Sequence, residues 1–233
     1  MKIPILAILA IPAIPAACAA PGTSVTPDAP TPSPDGRADA GRALGPVLVI
    51  GDSISLGYTP LVTAVMPSVT HIPSYSTTTA YALPDLTAWL GATPSSWVTI
   101  HFNFGLHDID LLGSGSAQVP TVSPADYAAN LQTIVATFRA KAPQAALIWG
   151  TTTPVPKGSA CPPADRTNAD VLEYNDLAAA VMTEETPNVY IDDLYSVAAS
   201  DPSVYMMPCD VHMTPAGYAA LATSVEAAIT ANQ

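Results

Sequence analysis

Pro46-Val-Leu-Val-Ile-Gly-Asp-Ser-Ile-Ser55 is the stretch on which the fold turns. Val47 to Ile50 is an unbroken aliphatic run. A strand with one wet face alternates apolar and polar residues, whereas a parallel strand covered on both faces does not, and this run reads as the second kind. Gly51 permits a tight exit from the strand. Asp52 and Ser53 follow where a helix would begin, a place where short polar side chains satisfy free backbone N–H groups.

Working outward, weaker or longer apolar runs predict further strands at residues 69–72, 97–104, 146–150 and 188–191. Helical signals fall between them. Ser123-Pro124-Ala125-Asp126 combines an N-cap, a proline at the first helical position and a first-turn carboxylate, and Tyr127, Leu131, Ile134, Val135 and Phe138 continue as an apolar stripe. A second helix is expected over Asp170–Met182. A last one is capped by Thr214-Pro215 and carries Tyr218, Leu221, Val225 and Ile229. Strands alternating with helices imply a three-layer α/β/α domain around a doubly wound, five-stranded parallel sheet. Such sheets bind ligands beyond the C-terminal ends of their strands.

Charge narrows the function. Acidic residues outnumber basic ones 19 to 7, for a net charge of −12. Nucleic-acid binding needs clustered cations to displace counterions, and docking on anionic lipid needs a basic patch; seven scattered cations supply neither. No uninterrupted apolar stretch long enough for a membrane span follows the N-terminus.

The N-terminus reads as an export signal over residues 1–20: Met1-Lys2, an apolar segment, then small residues. Cys18, followed by a polar tract, suits a lipid-acceptor cysteine and hence a membrane tether; ordinary cleavage after Ala19 or Ala20 is the alternative. Residues 21–45, rich in Pro, Ala, Ser and Thr, lack the apolar residues that would repay ordering and are expected to form a disordered tether. Residues 46–233 form the domain. The expected location is periplasmic or extracellular, free or lipid-anchored. In an oxidising compartment Cys161 and Cys209 are expected to pair; two buried thiols are the alternative.

Two residues stand out chemically. Ser53, at the start of a helix after the first strand, has an N–H positioned to face a developing negative charge. His212 lies just ahead of the last helix in Cys209-Asp-Val-His212-Met-Thr-Pro-Ala-Gly217. Singly, each has an ordinary explanation, a helix cap and a surface histidine.

Taken together and in this order, the two segments resemble the SGNH subgroup of the GDSL hydrolases. Gly105-Leu-His-Asp108 stands in place of that family's Gly-x-Asn-Asp segment, and Thr151-Thr-Thr-Pro154 is also similar; the likeness runs over about residues 46 to 231. The resemblance implies a flavodoxin-like strand order and a serine esterase in which Ser53 is nucleophile and His212 general base. It implies no cofactor and no metal.

Three departures shape the expected site. The family's oxyanion-donating Asn is His107, whose neutral ring can donate an N–H; Asn103, on the same side of the strand, is a second possible donor, read first as a support behind the donors. The family's acid, three residues before the histidine, is Cys209. Asp210 lies one residue nearer and is expected to orient His212 through a shifted turn, or the enzyme works as a dyad. The second family segment supplies a glycine N–H, but Pro73–Thr79 contains no glycine, and Ser76 is assigned the position. Gly105, Asp52 and Asp108 are expected to shape and hold the loops. The expected substrate is a small-molecule ester or acetylated carbohydrate with a short acyl group; no protein partner is implied. Trp89, Trp97 and Trp149 could stack on a sugar or simply pack the core. Competing readings are a non-catalytic carbohydrate-binding or polysaccharide acetyl-transfer accessory protein, and a metal-dependent hydrolase using His101, His107, Asp108, Asp110, Asp210 and His212.

Overall fold

The computed structural model describes residues 45–72, 77–112, 118–156, 166–185 and 187–233. The expected signal, the tether and Cys18, together with Ser76 and Cys161, lie outside the described residues.

The elements run β1 (Val47–Ile50), α1 (Ser53–Val65), β2 (Val69–Ile72), α2 (Thr79–Ala82), α3 (Leu86–Leu90), β3 (Thr99–Phe102), β4 (Leu111–Leu112), β5 (Val119–Pro120), α4 (Pro124–Lys141), β6 (Ala146–Gly150), α5 (Asn168–Glu184), β7 (Tyr190–Asp192), α6 (Leu194–Ala199), α7 (Pro202–Tyr205) and α8 (Pro215–Ala231). Five strands form one parallel sheet in the order β2-β1-β3-β6-β7, while β4 and β5 form a separate antiparallel ribbon. This is the expected doubly wound, three-layer architecture with flavodoxin-type strand order. Helices α1 and α8 pack together on the sheet, and α4 and α5 form the other pair. All four residues of β1 are buried, as the unbroken apolar run requires.

The caps are as the sequence places them. Ser123 and Thr214 accept from the backbone N–H groups of Asp126 and Gly217, with proline next in each helix. Helix α5 begins two residues before the expected Asp170, because Thr167 and Asp170 form a reciprocal capping box. The third strand is shorter than predicted: Trp97 turns its indole N–H to the Leu90 carbonyl, and the chain leaves the sheet after Phe102. The last strand is shifted toward Asp192, since Val189 N–H is engaged by the Met182 carbonyl at the end of α5. It is an edge strand with Tyr190 and Ile191 exposed. Helices α2, α3, α6 and α7 and the β4–β5 ribbon were not expected; each is too short to leave a periodic signal. Among the tryptophans, Trp149 is fully buried and Trp89 and Trp97 pack against the core, so their role is packing.

A buried polar bridge crosses the sheet. His101 on β3 reaches over β6 to Asp192 on β7, with Nε2 3.0 Å from Oδ2. The other oxygen of Asp192 accepts from Ser224 on α8 at 2.6 Å. The crossing needs Gly150 beneath it: a Cβ there would sit 2.9 Å from Leu194 Cδ1 and 3.0 Å from His101 Cε1. Gly150→Ala is therefore expected to cost about 1–3 kcal/mol through overpacking, read as a lower urea midpoint at unchanged slope.

Candidate active site

Short connections at the C-terminal edge of the sheet build the site. The β1–α1 turn is two residues long, and Asp52 caps α1 by accepting from Ile54 N–H at 2.9 Å. Ser53 is the first residue of α1, so its own N–H has no acceptor within the helix and is available to an oxyanion. Its hydroxyl is half-buried and lies 2.9 Å from His212 Nε2.

His212 is held by a closed strap of chain. Met206 and Met213 form a β-bridge, Met207 N–H bonds the His212 carbonyl at 3.0 Å, and Thr214 N–H bonds the Tyr205 carbonyl at 2.9 Å. Within the strap, Cys209 takes a left-handed conformation with φ 55°, uncommon for a residue with a side chain and recurrent at functional sites. Asp210 follows. Its Oδ1 accepts from His212 N–H at 3.0 Å and lies 2.6 Å from His212 Nδ1. The displaced acid thus meets the histidine through a local turn in which one carboxylate oxygen takes both the backbone and the ring N–H. A carboxylate only accepts, so Nδ1 carries the hydrogen and Nε2 is left as a base toward Ser53. The hydrogen bond from His212 N–H is the main reason the Asp210 carboxyl lies below its ordinary pKa. The side chains of His212 and Asp210 are 40% and 44% exposed.

The turn after β3 depends on Gly105, at φ 153°: a Cβ there would fall 1.9 Å from Thr152 Oγ1, which itself donates to the Phe104 carbonyl at 3.0 Å. His107 follows on that turn, half-buried and close to Asp52. Asn103 takes the supporting role of the two that the sequence left open to it. Its amide donates to the Gly150 carbonyl at 2.9 Å, with Thr151 O at 3.4 Å, so it ties the end of β3 to the end of β6 instead of facing an oxyanion. Asp108 acts as a loop anchor, accepting from Thr79 N–H at 2.9 Å and from the Thr79 hydroxyl. The residues named for a metal do not gather: His101 is buried against Asp192, Asp110 pairs with Arg166 at 3.0 Å, and no metal-holding cluster of three occurs among the described residues.

Several contributors left no sequence signal. Thr79 anchors Asp108 from a four-residue helix. Arg166 acts electrostatically on Asp52. Ser55 donates to the Asp52 carbonyl at 2.7 Å, which leaves His71 Nε2–H to donate to Ser55 Oγ at 2.8 Å.

The chain resembles known proteins in family and in fold. The domain is doubly wound, with a serine at the first strand exit and a histidine ahead of the last helix. The model of the GDSL-like lipase/acylhydrolase family matches residues 49–220, and the chain belongs to that family. The role that follows is ester hydrolysis or acyl transfer. Similar solved structures include the lipase/acylhydrolase from Enterococcus faecalis (19% identity, 80% of this chain and 96% of that one, TM-score 0.60). The C-terminal catalytic domain of Streptococcus pneumoniae peptidoglycan O-acetyltransferase A is another (20% identity, 82% and 96%, TM-score 0.56). A third is an alpha/beta hydrolase from a Lake Arreo metagenome (17% identity, 81% and 96%, TM-score 0.61). These likenesses are of fold. No curated protein matches the chain.

One buried group and one half-buried group set opposing pH dependences. Desolvation raises the Asp108 carboxyl to about 7; the native state then binds more protons than the unfolded chain between about pH 4 and 7, and stability falls as pH rises through that window. Burial lowers His71 to about 4; here the unfolded chain binds more protons, and stability rises over about pH 4 to 6.5. Thermal melts should therefore show Asp108→Asn with a more positive stability slope than wild type between pH 4 and 7, and His71→Gln with a more negative one.

Proposed function

We propose that the protein hydrolyses carboxylic esters by an acyl-enzyme mechanism in which Ser53 is the nucleophile, His212 the general base and Asp210 the residue that orients it. The observation that carries this reading is the unbroken line Ser53 Oγ, His212 Nε2, His212 Nδ1, Asp210 Oδ1, with contacts of 2.9 and 2.6 Å.

His212 Nε2 takes the hydroxyl proton as Ser53 Oγ bonds to the ester carbonyl carbon. The carbonyl electrons move to its oxygen, held by Ser53 N–H and by a donor on the His107 turn. When the intermediate collapses, the bond to the alcohol oxygen breaks and that oxygen takes the proton from His212. Water then repeats the sequence against the acyl-enzyme: His212 removes its proton and Ser53 recovers one, releasing the acid. All of this needs only the chain's own groups.

A short acyl group, acetyl above all, on an alcohol or carbohydrate suits the exposure of His212 and Asp210, which leaves the Ser53 side open. Export through residues 1–20, a lipid on Cys18 and a Cys161–Cys209 disulfide belong to the same reading and rest on the sequence; with them the enzyme would meet its substrate outside the cytoplasm.

The test uses p-nitrophenyl acetate and an active-site phosphonate. Wild type should turn over the ester and be labelled at Ser53, and Ser53→Ala should fall to background. Asp210→Ala, which removes the oxygen that holds the His212 ring, should lower kcat by roughly 10⁴-fold, as loss of the acid does in comparable triads. A Ser53→Ala protein that retained turnover would sink the mechanism.

A further inference from the structure

Behind the Ser53 turn lies a second serine–histidine contact that the mechanism above does not use. Ser55, buried on the first turn of α1, donates its hydroxyl to the Asp52 carbonyl at 2.7 Å. A serine bonding a carbonyl three residues back is ordinary in a helix. What stands behind it is not. His71, on the neighbouring strand β2, brings Nε2 to 2.8 Å from Ser55 Oγ. A carbonyl oxygen only accepts, so the Ser55 hydrogen is committed to Asp52 and the ring supplies the hydrogen of the second bond. Burial lowers the His71 pKa to about 4, so at neutral pH the ring is uncharged and carries its one hydrogen on Nε2. Space for the pair comes from Gly51: a Cβ there would lie 2.9 Å from both Cβ and Oγ of Ser55.

The Asp52 carbonyl belongs to the same peptide unit as the Ser53 N–H. A trans peptide is planar, and its C=O and N–H point in opposite directions. Whatever holds the carbonyl therefore aims the N–H. The carbonyl also accepts from Leu56 N–H at 3.2 Å, while Ser53 N–H, at the first position of α1, has no acceptor inside the helix. Hydrogen bonds in a chain polarise one another, so donation from His71 through Ser55 onto the carbonyl makes the Ser53 N–H a stronger donor. Resting on the esterase reading above, we infer that Ser55 and His71 are positioning residues for the oxyanion, a relay from β2 that aims and polarises the Ser53 N–H. They act through the Asp52–Ser53 peptide and not on the substrate. Their effect is felt when the ester carbonyl oxygen takes up negative charge.

The experiment measures p-nitrophenyl acetate turnover by wild type, Ser55→Ala, His71→Phe, His71→Gln and the double variant Ser55→Ala/His71→Phe, with thermal melts to report that each is folded. Loss of a whole oxyanion donor costs about 10²–10³-fold in kcat. Loss of its support should cost a part of that, about tenfold, in Ser55→Ala and in His71→Phe. An interaction made only in the transition state lowers kcat and kcat/KM together, so both should fall alike. The double variant should be no slower than the worse single one, because each breaks the same relay. His71→Gln, whose side-chain N–H can stand in for Nε2–H, should return to within about threefold of wild type. Nitrogen NMR of the wild-type histidine rings at neutral pH should find the His71 hydrogen on Nε2, which reads the relay without turnover and does not depend on any variant folding. A hydrogen on Nδ1, a Ser55→Ala kcat within about twofold of wild type, losses that multiply in the double variant, or a His71→Gln protein as slow as His71→Phe would each overturn the relay while leaving the esterase intact. A wild type that neither turns over the ester nor is labelled at Ser53 by the phosphonate would overturn the esterase reading, and the relay's role with it, wherever the ring hydrogen lies.

Discussion

The contact between Ser53 and His212 spans 159 residues of sequence, and it depends on how closely α1 and α8 approach. The closeness is set at Gly57: a Cβ there would lie 2.0 Å from Cε1 of the Tyr218 ring, so the absent side chain admits the aromatic one. Ser53 is the first residue of α1, and His212 stands just ahead of Thr214, the cap of α8. Two helix beginnings are therefore held side by side at one edge of the sheet, where free N–H groups and the positive ends of the helix dipoles favour negative charge. The Ser53 hydroxyl, the His212 ring and the free N–H of Ser53 share that one packing constraint.

A second layer of buried polar groups makes the arrangement rigid. Asp52, Asp108 and Asp192 are all buried and each accepts at least one directed hydrogen bond, from Ile54, from Thr79, and from Ser224 together with His101. Buried carboxyls are costly unless so engaged. At Asp52 and Asp108 the engagement is incomplete, since one oxygen of each lacks a partner; burial accordingly raises both pKa values. The loops that carry Ser53 and His107 are thus anchored from beneath by groups that disfavour ionisation. The exposed Asp210, engaged through one oxygen by two N–H groups of His212, is shifted the other way. Environment divides the acids between holding the loops and engaging His212.

Much of this was legible in the chain. The run from Val47 to Ile50 determined a strand buried on both faces, because an unbroken aliphatic run has no wet side. The Ser-Pro and Thr-Pro signals at residues 123 and 214 determined where α4 and α8 begin, because capping is chemistry between neighbours. Local alternation determined the fold class, and the residue types at 53, 210 and 212 named the groups that could act together. What the tertiary structure alone decided is which distant atoms meet. For Asn103 the sequence left two roles open, donor or support, and only the carbonyl on β6 that takes its amide decides between them. The offset of Asp210 was visible, but its fit to His212 came only with the left-handed turn at Cys209 and the bridged strap around it. Thr79 and Arg166 carry no periodic mark. Their roles arise from contacts between elements far apart in sequence, whereas caps, turns and strand faces are settled within a few residues of one another.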